Sequence, residues 1–500
     1  MSKNVALLLV LAFLISSFSA MPMSVKAGSR TLVVPDEYPT IEAAVENATD
    51  GDTIFVKAGT YQENPLKINK ALSLIGEGAE TTKISFDPPY TEETWNILEH
   101  YTFYENPITV TADNFTLSGF KIATTGGQIV INGNGTNIME NEILTDLHVS
   151  GSHLKITGNI FTSEIGISGS YSKISANIGY LMRIHGSFCD VSLNSLSGSA
   201  YPAAGGIWFE GNFCLVHDND MKASNGILGG NNNIIYRNVV DDASYGLAVG
   251  GSSNTVCLNR LTHCRVGLSP RAENTYYANY VVNNRWGVDT GLNPTRTAGT
   301  LYHNNFVSNT YQVSTIYNSY PPDNFDNGEE GNYWSDYAGI DSNGDGIGDT
   351  PYVIDANRSD RYPLMEPFDI ESVTAELPEW ASPPTLHIIS PENSALTSAN
   401  VTLEFNVSKQ TPWLGYSLDG QENVTIGGNA TVTGLSSGLH NVTVYARDEF
   451  GNVGTSETVY FSVCVPFPTT LVMASIITSA VIGIGLLVYL KKRKGGGDKT

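Results

Sequence analysis

The stretch "IIYRNVVDDASYGLAVGGSSNTVCLNRLTHCRVGLSPRAENTYYANYVVNN" occupies residues 234–284. In it Asn238, Asn259 and Asn279 each follow one short apolar run and precede another. The same mark recurs outward, so the full series is Asn141, Asn159, Asn177, Asn194, Asn219, Asn238, Asn259, Asn279 and Asn304. Successive gaps are 18, 18, 17, 25, 19, 21, 20 and 25 residues. Each repeat reads as two or three very short strands with alternate apolar residues. Gly and Asn stand at the corners, where the backbone can need left-handed dihedrals. One coil of this kind cannot bury its apolar face alone, but coils stacked in parallel can. Asn at equal positions can then hydrogen-bond up the stack. Leucine-rich repeats share the period but carry leucine at fixed places; here the apolar slots take Ile, Val, Phe and Tyr. The spacing predicts an all-β chain dominated by a single-stranded parallel β-helix over residues 28–325.

The repeat has recognisable ends. Upstream, "TIEAAVENA" reads as a short amphipathic helix near 40–48, with Ile41, Ala44, Val45 and Ala48 on one face. Such a helix would cover the open end of the stack and its unpaired strand edges. Residues 85–107 break the rhythm and read as a loop excursion from an early coil. Downstream, residues 326–370 read as a C-terminal cap that contains "DSNGDGIGD". There Asp341, Asn343 and Asp345 take positions 1, 3 and 5 of an EF-hand-like loop, the Ile347 carbonyl position 7 and Asp349 position 9. Position 12 is Tyr352, not Glu, and no helix pattern flanks the loop. Two readings stand: a Ca²⁺ site closed by Asp336, Asp355 or Asp360, or a hydrogen-bonded Asx/Gly turn. In both, Tyr333, Trp334, Tyr337, Tyr352 and Tyr362 pack over the last coil.

Beyond a linker at 371–382 the style changes. Residues 383–463 hold about seven short alternating strands with turns at "DG", "GG", "SG" and "GNVG", which reads as a β-sandwich. Residues 1–27 carry Lys3, an apolar run and small residues, the pattern of a signal peptide. Residues 470–490 are uncharged and long enough to cross a bilayer as one helix. The basic tail 491–500 opens on "KKRK" and marks the cytoplasmic side. The expectation is a single-pass cell-surface protein with its large N-terminal part outside. Acceptor sequons at Asn400, Asn406, Asn423, Asn429 and Asn441 fit that place, as do Asn47, Asn114, Asn134 and Asn357. A formal charge of −23 argues against nucleic acid, whose phosphates need basic grooves. Five cysteines without a CxxC exclude a dense disulfide scaffold and an iron–sulfur signature. Cys189 and Cys214 share a register and read as stacked, as a disulfide or as thiols.

The segments "TIEAAVENATDGDTIFVKAGTYQENPLKI…LIGEG", the Asn-marked coils and "GNYWSDYAGIDSNGDGIGDTPYVI…DRYPLMEPF" together resemble NosD-like right-handed parallel β-helix proteins. The resemblance covers about 31–370. It implies a right-handed, pectin-lyase-like solenoid within the wider class of carbohydrate-binding and sugar-hydrolase β-helices. "YSLDG…LSSGLHNVTVYARDEFGN" is similar to the immunoglobulin-like modules of prokaryotic surface proteins. Archaeal surface proteins of this type often join such a solenoid to small β-domains and an anchor. The family's founding role, copper delivery, is not carried over. The histidines do not cluster, and the one methionine pair, Met21 and Met23, lies in or near the signal.

Two functional readings follow. One is a surface protein whose solenoid binds a glycan or envelope polymer, or serves as a stiff structural or adhesive wall. The other is a polysaccharide lyase or glycoside hydrolase, which needs carboxylates across a groove. Its catalytic candidates are Asp241, Asp242 and Asp289 with Arg265 and Arg285. Arg265 and Arg285 are one coil apart and are expected to stack. Trp208, Asp218 and Asp220 are candidates for substrate binding, Trp208 also fitting a core position. No cofactor other than Ca²⁺ is expected.

Overall fold

The computed structural model describes residues 29–87, 90–95, 100–198, 205–222, 225–270, 273–290, 299–314, 324–375, 377, 379–449, 452–464, 484, 487 and 488. The expected signal segment 1–27, the tail 491–500 and all of the expected span 470–490 but three positions lie outside the described residues. Among the described residues no helix is long and apolar enough to cross a membrane. The chain divides into two units at Ala375 and Glu376.

In the first unit the chain visits three sheets in turn. The first has 13 strands, from Thr31–Val34 to Thr300–Tyr302; the second has 13, from Gly59–Glu63 to Tyr333–Trp334; the third has 12, from Leu66–Ile68 to Tyr311–Val313. Neighbours within each sheet are parallel and come from successive coils. This is a parallel β-helix, wound in the right-handed sense that parallel crossovers take. Alternation puts every second side chain inside. One inward column runs Ile138, Ile156, Ile174, Val191 and another Ile131, Val149, Ile167, Ile184, Phe209. All are buried in one continuous core.

The corner between the first and second sheets explains the recurrent Asn. The residue before each mark has a left-handed backbone: Glu140, Ala176, Leu193, Asp218, Arg237, Leu258, Ala278 and His303 have φ between 52° and 61°, and Gly158 has 67°. That bend is unfavourable for residues with a Cβ. It is offset by the Asn that follows. The main-chain N–H of each marker Asn donates to Oδ1 of the next, from Asn141 to Asn159 at 3.0 Å through Asn279 to Asn304 at 3.0 Å. Each Nδ2 also donates back to a carbonyl of the preceding coil, as Asn219 does to Val191 at 2.9 Å. The ladder continues to Asn332 and ends on the Asp360 carboxylate, which also accepts the Trp334 indole N–H at 2.8 Å. A second ladder, not legible in the period alone, runs through Asn233, Asn254 and Asn274 at the entry to the first sheet. Cys214 and Cys189 occupy the same row, and the Cys189 N–H donates to the Cys214 sulfur. The four solenoid cysteines are buried free thiols.

Both ends are covered. Helix α1, Ile41–Asn47, is capped by Thr40, whose hydroxyl accepts the Ala43 N–H at 3.1 Å. The buried Glu63 carboxylate accepts the Ile41 and Glu42 N–H groups, and Ile41, Ala44 and Val45 seal the first coil. At the other end the Trp334 ring lies between Phe306 and Tyr352, both 4.5 Å away between centroids. The excursion expected at 85–107 contains an antiparallel hairpin, Tyr90–Trp95 with His100–Tyr104, between the second and third sheets.

The second unit has its own core around Leu403, Val442, Val444, Ala446, Phe461 and Val463. A three-stranded and a six-stranded sheet, mostly antiparallel, supply it.

Candidate functional site

The outer face of the third sheet carries the site. Register alone assembles it. His148, Gly166, Arg183, Trp208, Ile227 and Ala248 follow one another across successive coils, all outward. A parallel row holds Asn132, Ser150, Ser168, His185, Glu210 and Gly229. Arg183 Nε donates to Glu164 Oε1 at 2.5 Å, and its guanidinium carbon stands 4.5 Å from the Trp208 ring. His185 Nδ1 faces Glu210 Oε2 at 3.5 Å. Arg183, His185, Trp208 and Glu210 wall a cleft of about 520 Å³ with Phe209, Ile227 and Tyr245. A second hollow of about 320 Å³ continues the groove past Arg183 and His185 towards Glu164, His148 and Ser168. Gly166 makes room there: a Cβ would meet His148 Nδ1 at 2.7 Å. The indole Nε1 of Trp208 is buried without a hydrogen-bond partner, a costly state for a donor. An aromatic ring, a fixed guanidinium and rows of hydroxyl and carboxylate acceptors are the groups that hold a sugar ring.

The spacing of the carboxylates bears on chemistry. Glu164 aligns with Leu181 and Gly206, two coils on, and Glu210 lies four residues beyond Gly206. Two coils and four residues put the two backbones roughly 16 Å apart. Glycosidase pairs stand about 5–9.5 Å apart between their carboxyl groups, and here Glu164 is held by Arg183 while Glu210 faces His185.

The sequence candidates fall in several places. Trp208 is in the cleft. Asp220 projects from the second sheet and Asp218 from the first corner, so neither joins it. Asp241 is on the second sheet, held by the Thr262 hydroxyl and His263 Nδ1, both at 2.7 Å. Asp242 follows it in the turn. Asp289 follows Trp286–Val288, at the opposite end of the third-sheet strands from Asp242. Arg265 and Arg285 are one coil apart, each preceding a third-sheet strand, and both guanidiniums lie against Trp286. Asp241 and Asp242 thus lie near the corner that carries Arg265, whereas Asp289 lies at the far end of the strand, so the three carboxylates do not gather in one groove. Glu164, Arg183, His185 and Glu210 were not singled out by the sequence reading.

A second titratable cluster lies on the first sheet. His217, 16% exposed, faces Asp218 through Nδ1 at 2.6 Å and Asp190 through Nε2 at 3.2 Å. Arg237 grips Asp218 with two bonds of 2.8 Å. Burial lowers the His217 pKa, but the two carboxylates outweigh it and raise it. Burial likewise pushes Asp190 up, yet His217, Ser192 and Lys173 hold it at about 2.

In the loop 341–349 the carboxylates turn to the loop's own amides. Asp341 accepts N–H groups of Gly344 at 2.7 Å and Gly346 at 2.9 Å, Asp345 that of Ile347, and Asp349 that of Ser342. The Gly346 amide, then Gly344, hold Asp341 below the usual carboxylate range. Among the described residues no three His, Cys, Asp or Glu side chains gather as a metal site.

No family model matches the chain. A 99-residue stretch is 36% identical to Halomucin of Haloquadratum walsbyi; the match spans 18% of this chain and 1% of that protein. Among solved structures, the catalytic domain of a GH87 alpha-1,3-glucanase in complex with nigerose aligns over 61% of this chain and 69% of its own, with TM-score 0.45 and 10% identity. The A-module of Azotobacter vinelandii mannuronan C-5 epimerase AlgE4 aligns over 56% and 93%, with TM-score 0.38 and 11% identity. Pectate lyase Pel9A aligns over 60% and 81%, with TM-score 0.24 and 12% identity.

Proposed function

We propose that this chain is a cell-surface protein whose β-helix binds a glycan along the outer face of the third sheet. The observation that carries the reading is the cleft in which Trp208, backed by the Arg183–Glu164 pair, stands among the outward rows of polar side chains. The local identity to Halomucin, by its name a mucin, fits a place outside the cell. In this reading the 1–27 segment is a signal, the 470–490 segment an anchor, and the second unit an immunoglobulin-like spacer carrying N-linked sugars. The solenoid is a NosD-like member of the carbohydrate-binding β-helices. Ca²⁺ belongs to the proposal at the cap: each carboxylate of the 341–349 loop has lone pairs beyond those its amide bonds use.

Binding is favoured over hydrolysis because the groove's two glutamates are each engaged by a basic side chain, Glu164 by Arg183 and Glu210 by His185. The test is a glycan array read for binding, followed by assay of the bound glycans for new reducing ends or unsaturated products. Binding without products is expected, and Trp208→Ala should weaken it about tenfold. Wild-type protein that retains no glycan, or a Trp208→Ala variant that binds as well as wild type, would overturn the reading.

A further inference from the structure

We propose that Arg265 and Arg285 form an anion-binding site at the corner between the second and third sheets, which takes a carboxylate or sulfate group of an acidic polysaccharide. The proposal rests on the glycan reading above and gives its ligand a charge. The site is separate from the cleft around Trp208, whose wall includes neither arginine.

Arg265 immediately precedes the strand Val266–Pro270, and Arg285 precedes Trp286–Val288. Val266 pairs with Trp286, so the two arginines stand one coil apart, about 5 Å between backbones. Both backbones are fixed: the Trp286 N–H donates to the Arg265 carbonyl and the Tyr311 N–H to the Arg285 carbonyl, each at 3.0 Å. Both side chains are exposed. Their guanidinium carbons lie 5.5 and 4.5 Å from the centre of the Trp286 ring.

Neither arginine is within ion-pair distance of a carboxylate among the described residues. Most other arginines described in the solenoid are paired, and Arg260, which lies against Tyr280, stands alone rather than beside a second arginine. Arg183 pairs with Glu164, Arg237 with Asp218, Arg358 with Asp355 and Arg361 with Asp326. Asp241, at the end of the second-sheet strand one coil back, bonds the Thr262 hydroxyl and His263 Nδ1 instead. Asp242 lies beside it, in the turn before Ala243, whose carbonyl accepts the Arg265 N–H. Two adjacent cations repel each other, and an anion bound to both relieves that. The indole lies against both guanidiniums, and no carboxylate among the described residues takes up their N–H forks. Such forks match the oxygens of a carboxylate or sulfate. In a chain of charge −23, a local basic pair also selects where an acidic polymer can approach.

The test uses the full chain and calorimetric titration with polygalacturonate, dextran sulfate and uncharged dextran at two salt concentrations. Wild type should bind at least one acidic polymer more tightly than dextran, and added salt should weaken that binding. Arg265→Gln with Arg285→Gln should reduce the acidic affinity about tenfold and flatten its salt dependence, leaving dextran binding unchanged. Arg265→Lys with Arg285→Lys, which keeps the charge and loses the fork, should fall between. Preference for one acidic polymer identifies carboxylate or sulfate as the group recognised. Equal binding of acidic and neutral polymers, lost in Trp208→Ala, would remove the anion site and leave the glycan reading standing. A double Gln variant as tight as wild type would also remove it. Binding of none of the three polymers would remove the anion site, and the glycan array decides the glycan reading separately.

Discussion

At the scale of the residue, His217 shows how the solenoid wall uses its charges. An imidazole with a carboxylate at each nitrogen can donate to both only when doubly protonated. Its folded pKa is raised above 6.5, so its stabilisation is present below that value and lost as pH rises through the folded pKa. Asp190 and Asp218 are lowered from 3.8, so theirs is present above that value and lost as pH falls. The two windows overlap between 3.8 and 6.5. Urea unfolding of wild type and His217→Gln should therefore differ most near pH 5 and converge towards pH 9. A difference of the same size at both pH values would exclude a charged imidazole. None of this was legible in the sequence, since Asp190 and His217 belong to different coils. The cleft was hidden for the same reason. Glu164, Arg183 and Trp208 sit in three successive coils, and the insertion between Asn194 and Asn219 offsets Trp208 from the marker period. Trp208 stood out only as an aromatic in a strand, where outward and inward positions are equally open to it.

At the scale of the element, the Asn ladder and the caps do different work. The ladder was readable because a buried amide must repeat wherever the corner repeats, and the repeat is a property of sequence. The αL residues before it were not, because Glu, Ala, Leu, Asp, Arg and His all occupy that place. The C-terminal cap was readable as a group of aromatics, but not in its central device. Asp360 ends the ladder by accepting from Asn332, Trp334 and Tyr362, although burial raises its pKa to about 6. The loop at 341–349 hangs from this cap: the Met365 N–H donates to the Gly346 carbonyl and the Gly348 N–H to the Pro363 carbonyl. An ion bound only by the folded loop would stabilise the cap by about 2.7 kcal/mol at 100 times its Kd. Calcium titration of the full chain should release heat and raise its melting temperature, and Asp345→Ala should abolish both effects. Silence in wild type would leave the loop as an Asx turn closed by its own amides.

At the scale of the whole molecule, the solenoid is a one-dimensional stack in which a coil meets only its neighbours. The architecture was legible for that reason: a nine-fold mark in the sequence reports a nine-fold environment, whatever each coil carries outside. The same logic allows one coil to be removed without breaking the others. Ile234 pairs with Thr255, Val239 with Arg260 and Leu247 with Leu268, so residues 234–254 are one full turn of the stack. Joining Asn233 to Thr255 would bring Asn219 against Asn259, which takes over the place of Asn238, and Asn233 against Asn274, which takes over that of Asn254. Both ladders would stay closed, and the inward column would pass from Val216 to Val256. The shortened chain is expected to keep its β circular-dichroism spectrum and a cooperative melt within a few degrees of wild type. Deleting 234–243 alone removes only part of a turn. It would carry the third-sheet strand Tyr245–Val249 into the first-sheet position and interrupt both ladders, so loss of the cooperative melt is expected. If the full-coil deletion failed and the partial one folded, the stack would not be held together by register, and the physical account of the fold would be wrong.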